Sequence, residues 1–145
     1  VQTVIEYHIV LSQIRDEVES AVNGESRIPF EDACKRACGS RPKVIEEMGI
    51  SFYTDLRAFG AKFSSPSTNS VTEVLQQRAS LLKARDAGEE AFKHELVTIL
   101  MSERIHVWKK SAASVRSKQE AEQFVIELLE KGHARRQAYE AYLEK

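Results

Sequence analysis

The chain has 145 residues, 42% of them apolar and 30% charged, with 21 Lys and Arg against 22 Asp and Glu for a formal charge of −1. This balance excludes a disordered chain, and no apolar run reaches the ~18 residues that a membrane-spanning helix needs. A chain of about 150 residues buries roughly 70% of the surface it exposes when unfolded, so a single helical domain over residues 1–145 is the expectation.

The N-terminus lacks the basic lead, apolar block and small-residue cleavage site of a signal peptide, which points to a cytoplasmic, intracellular chain. It opens on Val1 rather than methionine and stops in a helical pattern at Leu143-Glu144-Lys145, so it is read as a candidate fragment of a larger protein. Residues 1–60 hold seven Lys and Arg against ten Asp and Glu, and residues 61–145 hold fourteen against twelve. That asymmetry is too mild to imply nucleic acid by itself.

In residues 3–22, apolar side chains recur at Val4, Tyr7, Leu11, Ile14, Val18 and Ala21 in steps of three and four, the seam of a helix packed on helices as in a coiled coil. Ile5, Ile9 and Val10 widen the stripe, so the N-terminal half is expected to be covered on most sides. Asn23-Gly24 ends this helix, with glycine available for a left-handed cap. Pro29, with Glu31 and Asp32 behind it, opens a short helix through Cys34 and Cys38 to Gly39. Pro42 opens another that ends at Gly49.

Phe52, Leu56, Phe59 and Phe63 fall on one helical face, which predicts a third short helix plugging the core. Residues 64–70 are turn-forming and read as a loop. Ser70-Val-Thr-Glu73 is a capping box, and the pattern beginning there runs without proline to about Lys110, on the order of 60 Å if unbroken. The seam Leu75, Ala79, Leu82, Phe92, Leu96, Ile99 favours one continuous helix, with a break near Gly88 as the alternative. Ser117-Lys-Gln-Glu120 is a second capping box. It opens a last helix with the seam Ala121, Phe124, Val125, Leu128, Ala138, Tyr139 and Tyr142, which Gly132 interrupts mildly. The fold class is therefore all-α: an elongated antiparallel bundle of three long helices, with short helices of residues 25–69 packed at one end.

Few residues point to chemistry. Cys34 and Cys38, the only cysteines, leave one helix face in parallel, which suits neither a relaxed disulfide nor, without two further ligands, a zinc site. Glu103-Arg-Ile-His106 and Glu130-Lys-Gly-His133 resemble the paired carboxylate–imidazole motifs of di-iron bundles. With a turn near Ala112, however, they fall on the order of 20 Å apart along the bundle. His8 and His94 are lone histidines, with Glu90 placed to pair with His94. Lys131, Arg135 and Arg136 with His133 read as a salt-bridged face that Glu127 supports. No motif specifies a reaction, and no cofactor is implied.

The most lopsided window is 104–118, where Arg104, Lys109, Lys110, Arg116 and Lys118 accompany Trp108 without a single carboxylate. Lys109 and Lys110 suit the negative end of a helix dipole, whereas Arg116 and Lys118 flank a positive end where a bound anion would be welcome. Ser111, Ser114 and Ser117 among them could be phosphorylated and so neutralise the patch. The functional expectation is a non-enzymatic helical interaction module of an intracellular scaffold or adaptor. It would dock a protein partner through Arg104, Trp108, Lys109, Lys110, Arg116 and Lys118, with homo-oligomerisation also open. The alternative is an anionic-surface binder, for lipid headgroups or nucleic acid, using the same elbow.

Overall fold

A computed structural model describes residues 2–25, 27–102 and 117–143. The protein is mostly helical, with 75% of its described residues in six helices and one two-stranded sheet beside them. The chain divides into two compact units, Val1–Ile50 and Ser51–Lys145.

The first unit holds α1 (Gln2–Asn23), α2 (Phe30–Gly39) and α3 (Pro42–Met48). α1 stops at Asn23 as its sequence predicts, but Gly24 does not take a left-handed φ. Its lack of a side chain serves a close approach instead, since a Cβ there would stand 2.4 Å from the Ser20 carbonyl oxygen. Ala33 and Ala37 of α2 are buried, and these small side chains let α2 pack closely on α1. Pro42 opens α3, and Gly49 closes it at φ 60° in the left-handed cap that glycine takes without penalty. The Arg41 guanidinium grips both carboxylate oxygens of Glu17, and the Tyr7 hydroxyl donates to the Glu47 carbonyl at 3.3 Å, so α1 is tied to both ends of α3.

The second unit opens with a β-hairpin where a helix was expected. β1 (Asp55–Ala58) and β2 (Ala61–Ser64) pair antiparallel, Asp55 with Ser64 through Ala58 with Ala61. The chain here alternates polar and apolar on either side of Phe59-Gly60, a period of two that fits a half-buried strand better than a helix. Leu56, Ala58, Ala61 and Phe63 turn inward, while Asp55, Arg57, Lys62 and Ser64 turn outward. Phe59 and Gly60 both have positive φ, 51° and 76°, the signature of a type I′ turn whose twist matches the strands. Pairing resumes at Phe52 and Thr68. One extra residue lies on the returning strand, in the stretch holding Pro66, which has no N–H to offer a ladder.

α4 (Val71–Ala87) and α5 (Glu89–Met101) replace the single long helix that the seam suggested. Gly88 separates them at φ 119° and ψ 174°, a backbone region essentially confined to glycine and incompatible with a continuing helix. The two helices fold back on one another: Ser80, eight residues before Gly88, donates its hydroxyl to Glu95, seven residues after it, at 2.6 Å. The Ser70 cap holds as predicted, its hydroxyl accepting the Glu73 amide. The reciprocal half of the box differs: the Ser70 N–H donates to the Thr68 hydroxyl at 3.2 Å, and the Glu73 carboxylate accepts from that hydroxyl and from the Gln77 amide.

α6 (Lys118–Leu143) starts on the second capping box, with Ser117 N–H donating to Glu120 at 2.8 Å and Glu120 N–H to the Ser117 hydroxyl at 3.3 Å. Its buried stripe is Ala121, Val125, Leu129 and Gly132. The expected seam does not continue beyond Gly132, for Ala138, Tyr139 and Tyr142 are exposed. The core of this unit is Phe63, Leu81, Phe92, Leu96, Ile99, Val125 and Leu129 with their neighbours, and Phe59 leans on Phe92 with ring centroids 5.6 Å apart.

One contact fixes the hairpin on α6. A Cβ on Gly60 would meet the Gly132 carbonyl oxygen at 2.3 Å, and a Cβ on Gly132 would meet the Ala61 nitrogen at 2.7 Å. Strand turn and helix therefore touch backbone to backbone.

Candidate functional site

Five of the six residues expected to bind a partner, Arg104, Trp108, Lys109, Lys110 and Arg116, fall in 103–116, outside the described residues, as do Ser111, Ser114 and the Glu103–His106 pair. Lys118, the sixth, is the first residue of α6. It is exposed, with its ammonium 3.7 Å from the Glu122 carboxylate, so a neighbour one turn along answers part of its charge.

Of the remaining histidine candidates, His133 has a defined partner. His133 Nε2 lies 2.9 Å from the Glu89 carboxylate and joins α6 to the first residue of α5. Among the described residues no three of His, Cys, Asp and Glu are placed to hold a metal ion. Cys34, half-buried, and Cys38, buried, are not joined in a disulfide. Burial pushes the Cys38 thiol above its ordinary range, which disfavours the nucleophilic thiolate. On α6 the Glu127 carboxylate takes the Gln123 amide at 3.0 Å, and Arg136 pairs with Glu140 at 2.9 Å. Glu127 is thus engaged by Gln123 rather than by Lys131 as expected, and of the basic group Arg135 faces the hairpin.

The hairpin register sets Arg57 directly opposite Lys62 on the outward face, a like-charge pairing that by itself disfavours the sheet. Asp55 relieves half of it, its carboxylate lying 2.9 Å from the Lys62 ammonium and accepting the Ser64 hydroxyl. The Ser64 hydrogen bond first, then Lys62 and the charge of Arg57, hold the Asp55 carboxyl below its ordinary range. Arg135 stands three residues past Gly132, and the backbone contact brings it beside the turn. Arg57, Lys62 and Arg135, together with Ala58 to Ala61, line an open cleft of about 540 Å³ without a carboxylate in its lining. This cluster was hidden in the sequence because Arg135 lies 73 residues from Lys62 and 78 from Arg57. The alternation around Phe59-Gly60 was the signal for its hairpin half.

A second cleft, of about 570 Å³ between α1 and α2, has the opposite character and is lined by Asp16, Glu17 and Glu25 with Arg36. Large exposed apolar side chains gather in two places. Val4, Ile5, Ile9 and Leu11 are 44–70% exposed on the first three turns of α1, where cover on most sides was expected, and Tyr139, Tyr142 and Leu143 are 63–74% exposed at the end of α6. No described helix is long and apolar enough to cross a membrane. The chain matches no protein-family model, no curated protein and no solved structure.

Proposed function

We propose that the chain is a non-enzymatic helical interaction module of an intracellular scaffold or adaptor, receiving a protein partner on apolar helix faces. The observation that carries this reading is the exposure of Val4, Ile5, Ile9 and Leu11 together on α1. Apolar residues scattered singly over a surface are ordinary, whereas several large ones gathered on the first turns of one helix are what it offers to a partner's groove or to another helix. Ile5 and Ile9 are four apart, and Val4 and Leu11 seven apart, so two flanks of α1 are available for apolar contact.

Ile5→Glu with Ile9→Glu tests it. Partner capture by the wild-type chain should be lost in the double variant while its circular dichroism and melting curve stay the same. Capture that survives both charges would overturn the reading. A salt titration separates this docking from the anionic-surface alternative. Association through apolar faces should persist as salt rises, whereas binding of RNA or anionic vesicles through the 104–118 cations should fall steeply.

A further inference from the structure

We infer that the cleft formed by Arg57, Lys62 and Arg135 at the hairpin tip binds the phosphoryl group of a small soluble molecule. It is a different site from the apolar faces of α1, and the two stand or fall separately.

Composition is the first reason. Three cations and no carboxylate line a cleft of about 540 Å³, which lies within the ~300–1,000 Å³ range of small-ligand sites. Their pairing is the second. Lys62 is engaged by Asp55, while among the described residues Arg57 and Arg135 have no carboxylate within ion-pair distance. Two guanidiniums on facing elements, neither in a direct ion pair although Asp55 feels the charge of Arg57, can each offer parallel N–H donors to one phosphoryl group, a geometry that favours arginine over lysine for this anion.

Rigidity is the third reason. Arg57 sits on a strand, Arg135 on a helix, and the glycine-to-glycine contact at Gly60 and Gly132 holds the two backbones that carry them against one another. A cation pair on paired elements binds with less ordering cost than the same pair on a loop. The two walls are also already repelled by like charge. A dianion between them removes that repulsion as well as adding its own hydrogen bonds.

Asp55 makes the assignment testable in both directions. Its carboxylate competes with any anion for Lys62, so removing its charge should release a third cation to the ligand. The experiment is calorimetric titration of the full chain with inorganic pyrophosphate at low ionic strength. Saturable binding is expected, weakened about tenfold or more by Arg57→Gln and by Arg135→Gln. Asp55→Asn should tighten it by a few-fold. Arg15→Gln, which removes an exposed cation already paired to Asp16, should leave it unchanged. All four side chains are exposed, and a melting curve for each variant shows that the fold is retained.

The proposal is overturned if the wild-type chain shows no saturable binding, or if either cleft-arginine variant binds like Arg15→Gln. It is equally overturned if Asp55→Asn weakens binding as much as losing an arginine. Vesicles containing phosphatidic acid form a parallel arm. Binding confined to those vesicles, with none of pyrophosphate, would assign the cations to a lipid surface and overturn the soluble ligand.

Discussion

Gly132 shows how much a single hydrogen atom in place of a methyl group can decide. An exposed glycine inside a helix costs about 1 kcal/mol relative to alanine, so Gly132→Ala would ordinarily stabilise α6. Here the added carbon would stand 2.7–2.9 Å from the Ala61 nitrogen, the Gly60 carbonyl carbon and the Phe59 oxygen, all of them backbone atoms. None can swing aside as a side chain would. Overpacking of this kind costs typically 1–3 kcal/mol, and it outweighs the gain in propensity. Gly132→Ala is expected to lower stability in a urea titration, whereas Ala134→Gly, at an exposed site just beyond, should lower it only by about the propensity difference.

Glu17 gives a second prediction at this scale. The hydrogen bond from Arg41 leads in holding its carboxyl below the ordinary value of 4.5, so in the acid range the unfolded chain binds a proton more readily than the folded one. The stabilisation from this pair is therefore fully present above about pH 4.5 and is lost as pH falls through the lower folded value. Chemical denaturation of the wild-type chain and of Glu17→Gln at a series of pH values should give a difference that is constant near neutrality and shrinks toward zero in acid.

Local chemistry announced some elements clearly. The Ser70 hydroxyl cap, the full capping box at Ser117, the proline starts of α2 and α3 and the Gly49 stop were legible because each rests on residues within four positions of one another. Ser117→Ala removes one reciprocal bond of a cap that bounds α6, and it should cost about 1 kcal/mol with a small loss of helical circular dichroism.

Other elements misled. Phe52, Leu56, Phe59 and Phe63 satisfy a helical spacing and a strand alternation nearly as well, and aromatic richness argued for burial in either case. The choice fell to the turn, since Phe59 takes a positive φ that an aromatic residue rarely adopts, and only its packing on Phe92 accounts for its presence there. The seam across Gly88 was genuine only in part: Leu75, Phe92, Leu96 and Ile99 are buried, but Ala79 is exposed and Leu82 half-buried, because α4 turns Val74, Leu75, Gln77 and Leu81 inward. A shared phase along the chain is equally satisfied by two helices folded on one core. At the candidate site the cations were visible one by one. Their meeting was not, since it depends on a contact between positions 60 and 132.

The two units of the molecule differ in what holds them. Among the described residues of Val1–Ile50 only Ala33, Ala37 and Cys38 are buried apolar side chains, while Ser51–Lys145 buries Phe63, Leu75, Leu81, Phe92, Leu96, Val97, Ile99, Val125 and Leu129 among others. At about 25 cal/mol per Å² of apolar surface, alanines and a thiol supply far less than phenylalanines and leucines, and a unit of some fifty residues is marginal on its own. Amide hydrogen exchange is expected to show lower protection throughout α1 to α3 than in α4, α5 and the Ala121–Gly132 stretch of α6. Equal protection in the two units would mean that α1 is held by contacts other than these.

The meeting of Gly60 and Gly132 also has a history in time. It closes a loop of seventy-two residues, whereas the Ser80–Glu95 contact that folds α5 onto α4 closes one of fifteen. Loop-closure entropy favours the shorter circuit, so the helical pair should form early and the hairpin tip should dock on α6 late. On that order Gly132→Ala should leave the folding rate nearly as it was and accelerate unfolding. Arg57 and Arg135 would then face one another only as the last large circuit of the second unit closes.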